Sequence, residues 1–208
     1  MSQRATIVVD LQNEYLPTGK LPLTGLDTAL ENAARIIAAA RAKGERVIHV
    51  RHESTKPGAA AFVAGTDAVR IVPAVAPGEG EPVVLKHYPN SFRDTGLKQL
   101  LDAEGVKELV VIGAMSHMCV EATTRAAVDL GYPVTVVHDA CATMALEFGS
   151  TKVPAAQVHA TAMAALALAP VAAAYLVFYP YTKRFTWTAN LLLGWALAIA
   201  PSAAWIGV

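Results

Sequence analysis

Three residues of reactive type follow three different strand-like runs of the sequence. Asp10 ends the first apolar, β-branched run, Lys86 follows the third, and Cys119 opens a helical stretch after the fourth. Taken singly, each has a simpler explanation: a loop carboxylate, a solvated lysine and a small buried hydrophobe. Taken together, they offer a nucleophile, a proton acceptor and a positive charge, which are the components of covalent hydrolysis.

The chemistry of such a trio is that of a cysteine hydrolase. The first turn of a helix and the ammonium of Lys86 are expected to lower the pKa of the Cys119 thiol and so favour the thiolate. Asp10 can take the thiol proton, deliver it to a leaving group and then activate water. Backbone N–H groups between Gly113 and Cys119 can stabilise the oxyanion formed at a carbonyl.

Five short runs of Val and Ile must position these residues. Unbroken apolar runs, as opposed to alternating ones, are typical of strands covered on both faces, and they predict a parallel sheet. The predicted strands are Thr6–Asp10, Arg46–Arg51, Pro82–Leu85, Glu108–Gly113 and Pro133–Asp139.

Helical stretches separate the predicted strands. They are Asp27–Ala42, Asp94–Glu104, Cys119–Leu130 and Gln157–Ala167, and the first three end at a glycine. This alternation predicts an open, doubly wound α/β fold with helices on both faces of the sheet. Since ligands bind at the carboxyl ends of the strands in such a fold, the three reactive residues are expected to meet there.

The composition narrows the class of protein. Among 208 residues, 17 Lys and Arg balance 17 Asp and Glu, so no basic surface for nucleic acid is indicated. With 54% hydrophobic and 16% charged residues, intrinsic disorder is excluded. Two cysteines cannot form a disulfide framework, and the opening MSQRATIVVD does not read as a secretory signal. We therefore expect a cytoplasmic protein.

Several segments resemble the isochorismatase-like cysteine hydrolases. The segments are IVVDLQNEY (7–15), KHYPNSF (86–92), GAMSHMCVEATTRAAVDLGY (113–132), DACAT (139–143) and VHATAMAAL (158–166). The resemblance covers about residues 4–167 and implies a Rossmann-like sheet with the catalytic triad Asp10, Lys86 and Cys119. It also implies a cis peptide bond at Ala114–Met115, an oxyanion hole formed by the N–H groups of Met115 and Cys119, and a homo-oligomer with a small-molecule substrate.

Within this family, the sequence is more similar to the metal-free amide hydrolases than to the nicotinamidases. Nicotinamidases carry a metal beside the pocket, held partly by an Asp-x-His pair. Here His49 and His52 stand three apart on a predicted strand, so they should point to opposite faces and form a poor ligand pair. We expect no metal and no cofactor, and cleavage of a small-molecule amide C–N bond through a thioester. Cleavage of an isochorismate-type vinyl ether is the alternative.

Other residues near the three motifs are candidates for the substrate pocket. Tyr15, Phe92 and His117 flank the triad in sequence, although simple packing explains each equally well. The long loop Glu53–Glu81 is predicted to form a lid over the pocket or a contact between subunits. Cys141 is interpreted as a buried cysteine without a catalytic role.

The C-terminal segment has a different character. Residues 1–167 form the predicted hydrolase domain, whereas no residue from Phe185 to Val208 is charged. Residues 168–208 resemble a fragment of a UbiA-type membrane prenyltransferase and stand where the family usually continues into a sixth strand. They predict an apolar helical tail, such as a helical hairpin or a membrane-span-like segment. A hydrolase with an incidental tail is favoured over a membrane-tethered hydrolase and over a non-catalytic α/β binding module.

Overall fold

The computed structural model describes residues 3–167 of the chain. The chain divides into two compact units, Met1–His159 and Ala160–Val208. Every residue of the site described below belongs to the first unit. The predictions made for residues 168–208, including the helical tail and its resemblance to a prenyltransferase, lie outside the described residues.

A five-stranded parallel sheet forms the centre of the first unit, as the apolar runs predicted. The strands are β1 (Arg4–Val9), β2 (Arg46–His52), β3 (Val83–Lys86), β4 (Glu108–Ala114) and β5 (Val134–Ala142). Their spatial order is β3-β2-β1-β4-β5, and all neighbours are parallel. The first strand is therefore central, and the chain winds outward from it in both directions.

Helices connect the strands close to the predicted positions. They are α1 (Leu26–Ala42), α2 (Leu97–Ala103), α3 (Glu121–Asp129) and a helical segment over residues 155–167. Helix α2 begins three residues later than predicted, because Asp94 adopts a left-handed conformation with φ of 54°. Cys119 does not open α3 itself: it lies in a separate π-helical turn, Ser116–Val120, that precedes α3.

Each face of the sheet is covered by its own hydrophobic core. On one face, α1 buries Leu30 and Ile37 against Val8 of β1 and Ile112 of β4. On the other face, Leu97 and Leu101 of α2 and Ala127 of α3 pack against Ile7 and Val111. The fold is thus a Rossmann-like α/β sandwich, and within the described residues no helix has both the length and the apolar character needed to span a bilayer.

Short elements complete the described chain. A small antiparallel hairpin, β6 (Leu146–Phe148) and β7 (Thr151–Val153), follows β5 and was not predicted. Single 3₁₀ turns occur at Asn13–Tyr15, Asp67–Val69 and Pro73–Val75. The last two of these turns lie in the long loop between β2 and β3.

A glycine allows β4 to approach β1 next to the site. Gly113 pairs with Val9 and has φ of 134°, a conformation that side chains rarely adopt. A Cβ atom at this position would lie 2.0 Å from the carbonyl oxygen of Val9. Only glycine fits here, and Val9 is the residue immediately before Asp10.

Candidate active site

The strand order brings Asp10, Lys86 and Cys119 to one edge of the sheet. Asp10 follows β1, Lys86 is the last residue of β3, and the turn containing Cys119 follows β4. These strands lie within four neighbouring positions of a parallel sheet, so their carboxyl ends share an edge. The predicted meeting of the three side chains is therefore present in the structure.

Lys86 lies between the other two side chains. Its Nζ is 2.7 Å from Oδ2 of Asp10 and 3.3 Å from Sγ of Cys119. The side chains of Asp10 and Lys86 are fully buried, and Cys119 is 7% exposed. In a site with so little solvent, the charge on each group depends strongly on the charges of the other two.

The ionisation of Cys119 differs from the sequence-based prediction. Burial raises the pKa of the Cys119 thiol well above its usual value, and the nearby Asp10 carboxylate raises it further, whereas Lys86 lowers it. Burial also raises the pKa of Asp10, against the opposing effect of Lys86. The direction of the shift is thus opposite to the lowering expected from the helix end and Lys86, because the depth of burial, which periodicity does not reveal, is the largest influence on the thiol.

The turn that carries Cys119 is anchored on both sides. The N–H groups of Met118 and Val120 donate to the carbonyl oxygen of Met115, at 3.0 and 3.2 Å. Ser116 Oγ lies 2.8 Å from Nδ1 of His159 and 3.3 Å from the carbonyl oxygen of Ala142. The peptide bond Ala114–Met115 is cis, as the family resemblance implied. Met115 and Cys119, the predicted oxyanion-hole residues, thus stand at the two ends of one fixed loop.

His52 is a fourth side chain in contact with Lys86. Its Nδ1 lies 3.3 Å from Lys86 Nζ, and the two residues are register partners across β2 and β3. Burial lowers the pKa of His52 to about 4, with further lowering by the charge of Lys86. The imidazole is therefore neutral at physiological pH.

An aromatic wall stands beside the triad. Phe62, from the loop between β2 and β3, packs edge-to-face against Tyr15 and against His52, with ring centroids 5.3 and 5.0 Å apart. Burial raises the pKa of Tyr15, and the charges of Asp10 and Cys119 add to this effect, which places Tyr15 within electrostatic reach of the triad. The long loop therefore contributes a wall to the site.

Two buried polar side chains hold this wall in place. Gln12 Nε2 donates to the carbonyl oxygens of His52 and Val69, at 2.9 and 2.8 Å, and Gln12 Oε1 accepts from the N–H of His52 at 2.8 Å. Glu14 Oε2 accepts from the N–H of Phe62 at 2.7 Å. Both residues are almost fully buried, so these bonds fix the loop against the segment that follows β1.

The other candidates have different surroundings. Phe92 stacks on Tyr132 with ring centroids 6.4 Å apart, and Nδ1 of His117 lies 2.6 Å from Oγ1 of Thr143. Cys141 is buried, which raises the pKa of its thiol to about 12. The pocket roles of Phe92 and His117 stay predictions, and the contacts of Cys141 are those of a core residue.

The two histidines of β2 have separate partners. His49 Nε2 lies 3.2 Å from Oε2 of Glu81, whereas Nδ1 of His52 faces Lys86. Between residues 3 and 167, no three His, Cys, Asp or Glu side chains cluster in a way that could hold a metal ion.

Sequence reasoning did not identify the supporting residues of the site. Gln12 and Glu14 stand within the first motif, and His52 directly follows the second predicted strand, so proximity to the motifs and strands was an available signal. Phe62 carried no such signal, because its place beside Tyr15 depends on the path of a long irregular loop.

Comparison with known proteins assigns the chain to a family. The model of the isochorismatase domain matches residues 4–174. An uncharacterised isochorismatase family protein, YddQ of Bacillus subtilis, is 48% identical over 162 residues, which cover 78% of this chain and 90% of that protein.

The crystal structure of an isochorismatase hydrolase from Oleispira antarctica superposes with a TM-score of 0.77 at 52% identity, covering 80% of this chain and 89% of that one. A streptothricin hydrolase of Streptomyces noursei is 39% identical over 140 residues, and the match covers 67% of this chain but only 50% of that protein. These comparisons give no support to the prenyltransferase resemblance of residues 168–208. With a family model that matches most of its length and relatives of high identity, the chain belongs to the isochorismatase family of hydrolases.

Proposed function

We propose that the chain hydrolyses the C–N bond of a small amide by covalent catalysis at Cys119. The observation that carries this proposal is the position of Lys86 Nζ, 2.7 Å from the Asp10 carboxylate and 3.3 Å from the Cys119 sulfur in a buried site. The streptothricin hydrolase among its relatives is named for hydrolysis, which supports the same class of reaction.

The first half of the proposed reaction forms a thioester. The Cys119 thiol gives its proton to Asp10 as the sulfur attacks the carbonyl carbon, so the site keeps one negative charge beside Lys86 throughout. The carbonyl oxygen becomes an oxyanion, which the N–H groups of Met115 and Cys119 are proposed to stabilise. Collapse of this intermediate breaks the C–N bond, and Asp10 returns the proton to the leaving nitrogen.

The second half of the proposed reaction hydrolyses the thioester and releases a carboxylic acid. Asp10, again a carboxylate, removes a proton from water, and the resulting hydroxide attacks the thioester carbon. The C–S bond breaks, and the thiolate recovers the proton from Asp10. The products are a carboxylic acid and an amine or ammonia, and the three side chains return to their starting protonation states.

This proposal is tested with a panel of primary amides, cyclic amides and isochorismate. We expect hydrolysis of at least one amide by the full chain, and a loss of at least about a thousandfold in kcat in Cys119→Ala. Cys141→Ala is the matched control, because it removes the other buried thiol without touching the triad, and it should retain activity.

Two outcomes would contradict the proposal. Cleavage of isochorismate with no amide turnover would assign vinyl ether chemistry to the site. Amide hydrolysis that persists in Cys119→Ala would show that another group is the nucleophile. Intact-mass detection of an acylated wild-type chain, absent from Cys119→Ala, provides a direct check of the thioester.

A further inference from the structure

Three side chains contact the ammonium of Lys86, and one of them is His52. A lysine ammonium carries three N–H bonds. Three partners surround Lys86 Nζ: Oδ2 of Asp10, in an ion pair at 2.7 Å, and two hydrogen-bond acceptors, Sγ of Cys119 and Nδ1 of His52, each at 3.3 Å. One ion pair and two hydrogen bonds therefore hold the ammonium between the three side chains.

The proposed mechanism uses only two of these three partners. Asp10 exchanges the proton and Cys119 forms the covalent bond, whereas His52 takes part in neither step. Lys86 is fully buried, so water cannot satisfy its third N–H in the place of His52. An acceptor at this position is therefore necessary for the ammonium to stay between the other two.

The position of His52 is itself tightly determined. Gln12 binds both the N–H and the carbonyl oxygen of His52, and the ring packs edge-to-face against Phe62. The imidazole has little freedom to turn away from Lys86, because His52 ends β2, binds the Gln12 side chain through its backbone and packs against the ring of Phe62.

The contact with Lys86 also defines which ring nitrogen carries the proton. An ammonium can only donate, so Nδ1 must accept and the proton of the neutral ring must lie on Nε2. Burial and the positive charge of Lys86 oppose a second proton on this ring. No proton is therefore left on the nitrogen that faces the lysine.

We propose that His52 is a positioning residue that accepts a hydrogen bond from the ammonium of Lys86 and thereby holds it between Asp10 and Cys119. This inference rests on the proposed function, in which the ammonium of Lys86 stays beside the one negative charge of the site throughout the reaction. It also removes His52 as a metal ligand through Nδ1, since a cation there would have to displace the ammonium.

The first test uses the unmodified full chain with ¹⁵N-labelled histidine. We expect the ¹⁵N–¹H correlation spectrum of His52 to show an unprotonated Nδ1 and a protonated Nε2, unchanged between pH 8 and pH 5.5. Comparison with His52→Asn assigns the signals. A proton on Nδ1, or a charged ring in this range, would overturn the proposal, because Lys86 could not then donate to it.

The second test follows alkylation of Cys119 by iodoacetamide as a function of pH. His52→Leu removes the acceptor at similar volume, so we expect roughly tenfold slower alkylation at pH 8, with the pH profile moved to higher pH. His52→Asn keeps a side-chain oxygen acceptor and should recover most of the wild-type rate. His87→Asn is the matched control: it makes the same change at the exposed neighbouring histidine and should leave the profile unchanged.

The outcomes distinguish a positioning role of His52 from a simple packing role, and they are independent of the test of the proposed function. Equal profiles for wild type and His52→Leu would overturn the proposal, as would equal slowing in His52→Leu and His52→Asn. If His52→Leu does not fold, as judged by circular dichroism, the ring-nitrogen measurement on the wild-type chain decides alone. If no amide is hydrolysed while the ring-nitrogen state and the alkylation profiles are as expected, the proposed function fails and the positioning role stands.

Discussion

The three charged or ionisable side chains of the site act as one unit. Burial raises the pKa of both Asp10 and Cys119, and the neighbouring Lys86 lowers both. Next to the Lys86 ammonium, one negative charge is stabilised, and it can lie on either the carboxylate or the sulfur. A thiol that is protonated at rest is compatible with nucleophilic attack, because the proton has a short path to Asp10.

This shared charge leads to opposite effects for two substitutions. Asp10→Asn removes the negative charge that raises the pKa of Cys119, so the thiolate becomes the remaining counterion of Lys86. We expect faster alkylation of Cys119 in this variant, by roughly tenfold at pH 7.5, together with the loss of hydrolysis. Lys86→Met should slow alkylation by a similar factor.

The measurement is the rate of iodoacetamide labelling between pH 6.5 and 9.5 in a Cys141→Ser background, so that only Cys119 reports. In the wild-type protein the rate should still be rising at pH 9, because the pKa of the thiol is raised. Slower labelling in both variants would contradict the charge-sharing interpretation and would point to misfolding of the site.

At the scale of elements, Glu81 connects a helix, a strand and a loop. Its carboxylate accepts two hydrogen bonds from Arg41 of α1, each 2.8 Å long, and one from the N–H of Gly78 at 2.7 Å. It also lies 3.2 Å from Nε2 of His49 in β2, a ring whose pKa is lowered mainly by burial. These contacts, led by the bond from Arg41, lower the pKa of Glu81 to about 2.

Glu81 should therefore contribute to acid stability. Because its pKa is lower in the folded chain than the usual value of 4.5, its contribution is complete above about pH 5 and is lost as the pH falls towards 2. Since Arg41 is partly exposed to solvent, we expect Glu81→Gln to cost about 1 kcal/mol at pH 7 and less at pH 3.

Urea unfolding at pH 7, 5 and 3 measures this difference. Glu147→Gln is the matched control, because its partner Lys152 and Glu147 itself are both exposed on the β6–β7 hairpin, and it should change stability little at any pH. If Glu81→Gln lowers the free energy of unfolding by the same amount at pH 3 as at pH 7, the stability does not depend on the ionisation of Glu81 and the prediction is contradicted.

Elements with strong periodicity were predictable, and those defined by tertiary contacts were not. The five strands and α1 follow from apolar runs and glycine stops, and the meeting of Asp10, Lys86 and Cys119 at one sheet edge followed from the α/β pattern. The turn at Ser116–Val120 replaced the expected first turn of α3, because its geometry depends on anchors such as Ser116 to Ala142. The β6–β7 hairpin was missed since its strands are short and largely exposed.

The electrostatics of the site could not be predicted for a related reason. The types of residue at positions 10, 86 and 119 indicated a nucleophile, a base and a cation. The direction of the Cys119 pKa shift depends on how completely the site excludes water, which is a property of both cores and the loop. The contact of His52 with Lys86 depends in the same way on the register of β2 with β3.

At the scale of the whole molecule, exposed apolar side chains favour self-association. Val83 and Leu85 of the edge strand β3 are 44% and 40% exposed, and Phe148 on the hairpin is 88% exposed. Edge strands with unpaired backbone and exposed apolar residues are frequent contact surfaces. We propose that the full chain forms a homo-oligomer, as the family resemblance implied.

Sedimentation velocity of the full chain at micromolar concentration measures this state. We expect a species heavier than the 21.9 kDa chain, and a shift towards the single chain in Leu85→Glu. Ala103→Glu places the same charge on an exposed position of α2 and should leave the distribution unchanged. A single-chain species at all concentrations would contradict the proposal, whereas equal dissociation by both variants would exclude β3 as the contact.

The requirement for glycine at position 113 has a consequence for how new substrate specificities can arise. A Cβ at this position would collide with the carbonyl oxygen of Val9, so the backbones of β1 and β4 are in direct contact here. This contact defines the distance between the Asp10 carboxylate and the Cys119 sulfur, and no change of side-chain rotamer at position 113 can adjust that distance. The wall formed by Phe62, in contrast, belongs to the long loop between β2 and β3, which has many exposed positions. Selection for a different acyl group can therefore act on the exposed positions of this loop, and libraries that randomise them should yield active variants far more often than changes at codon 113.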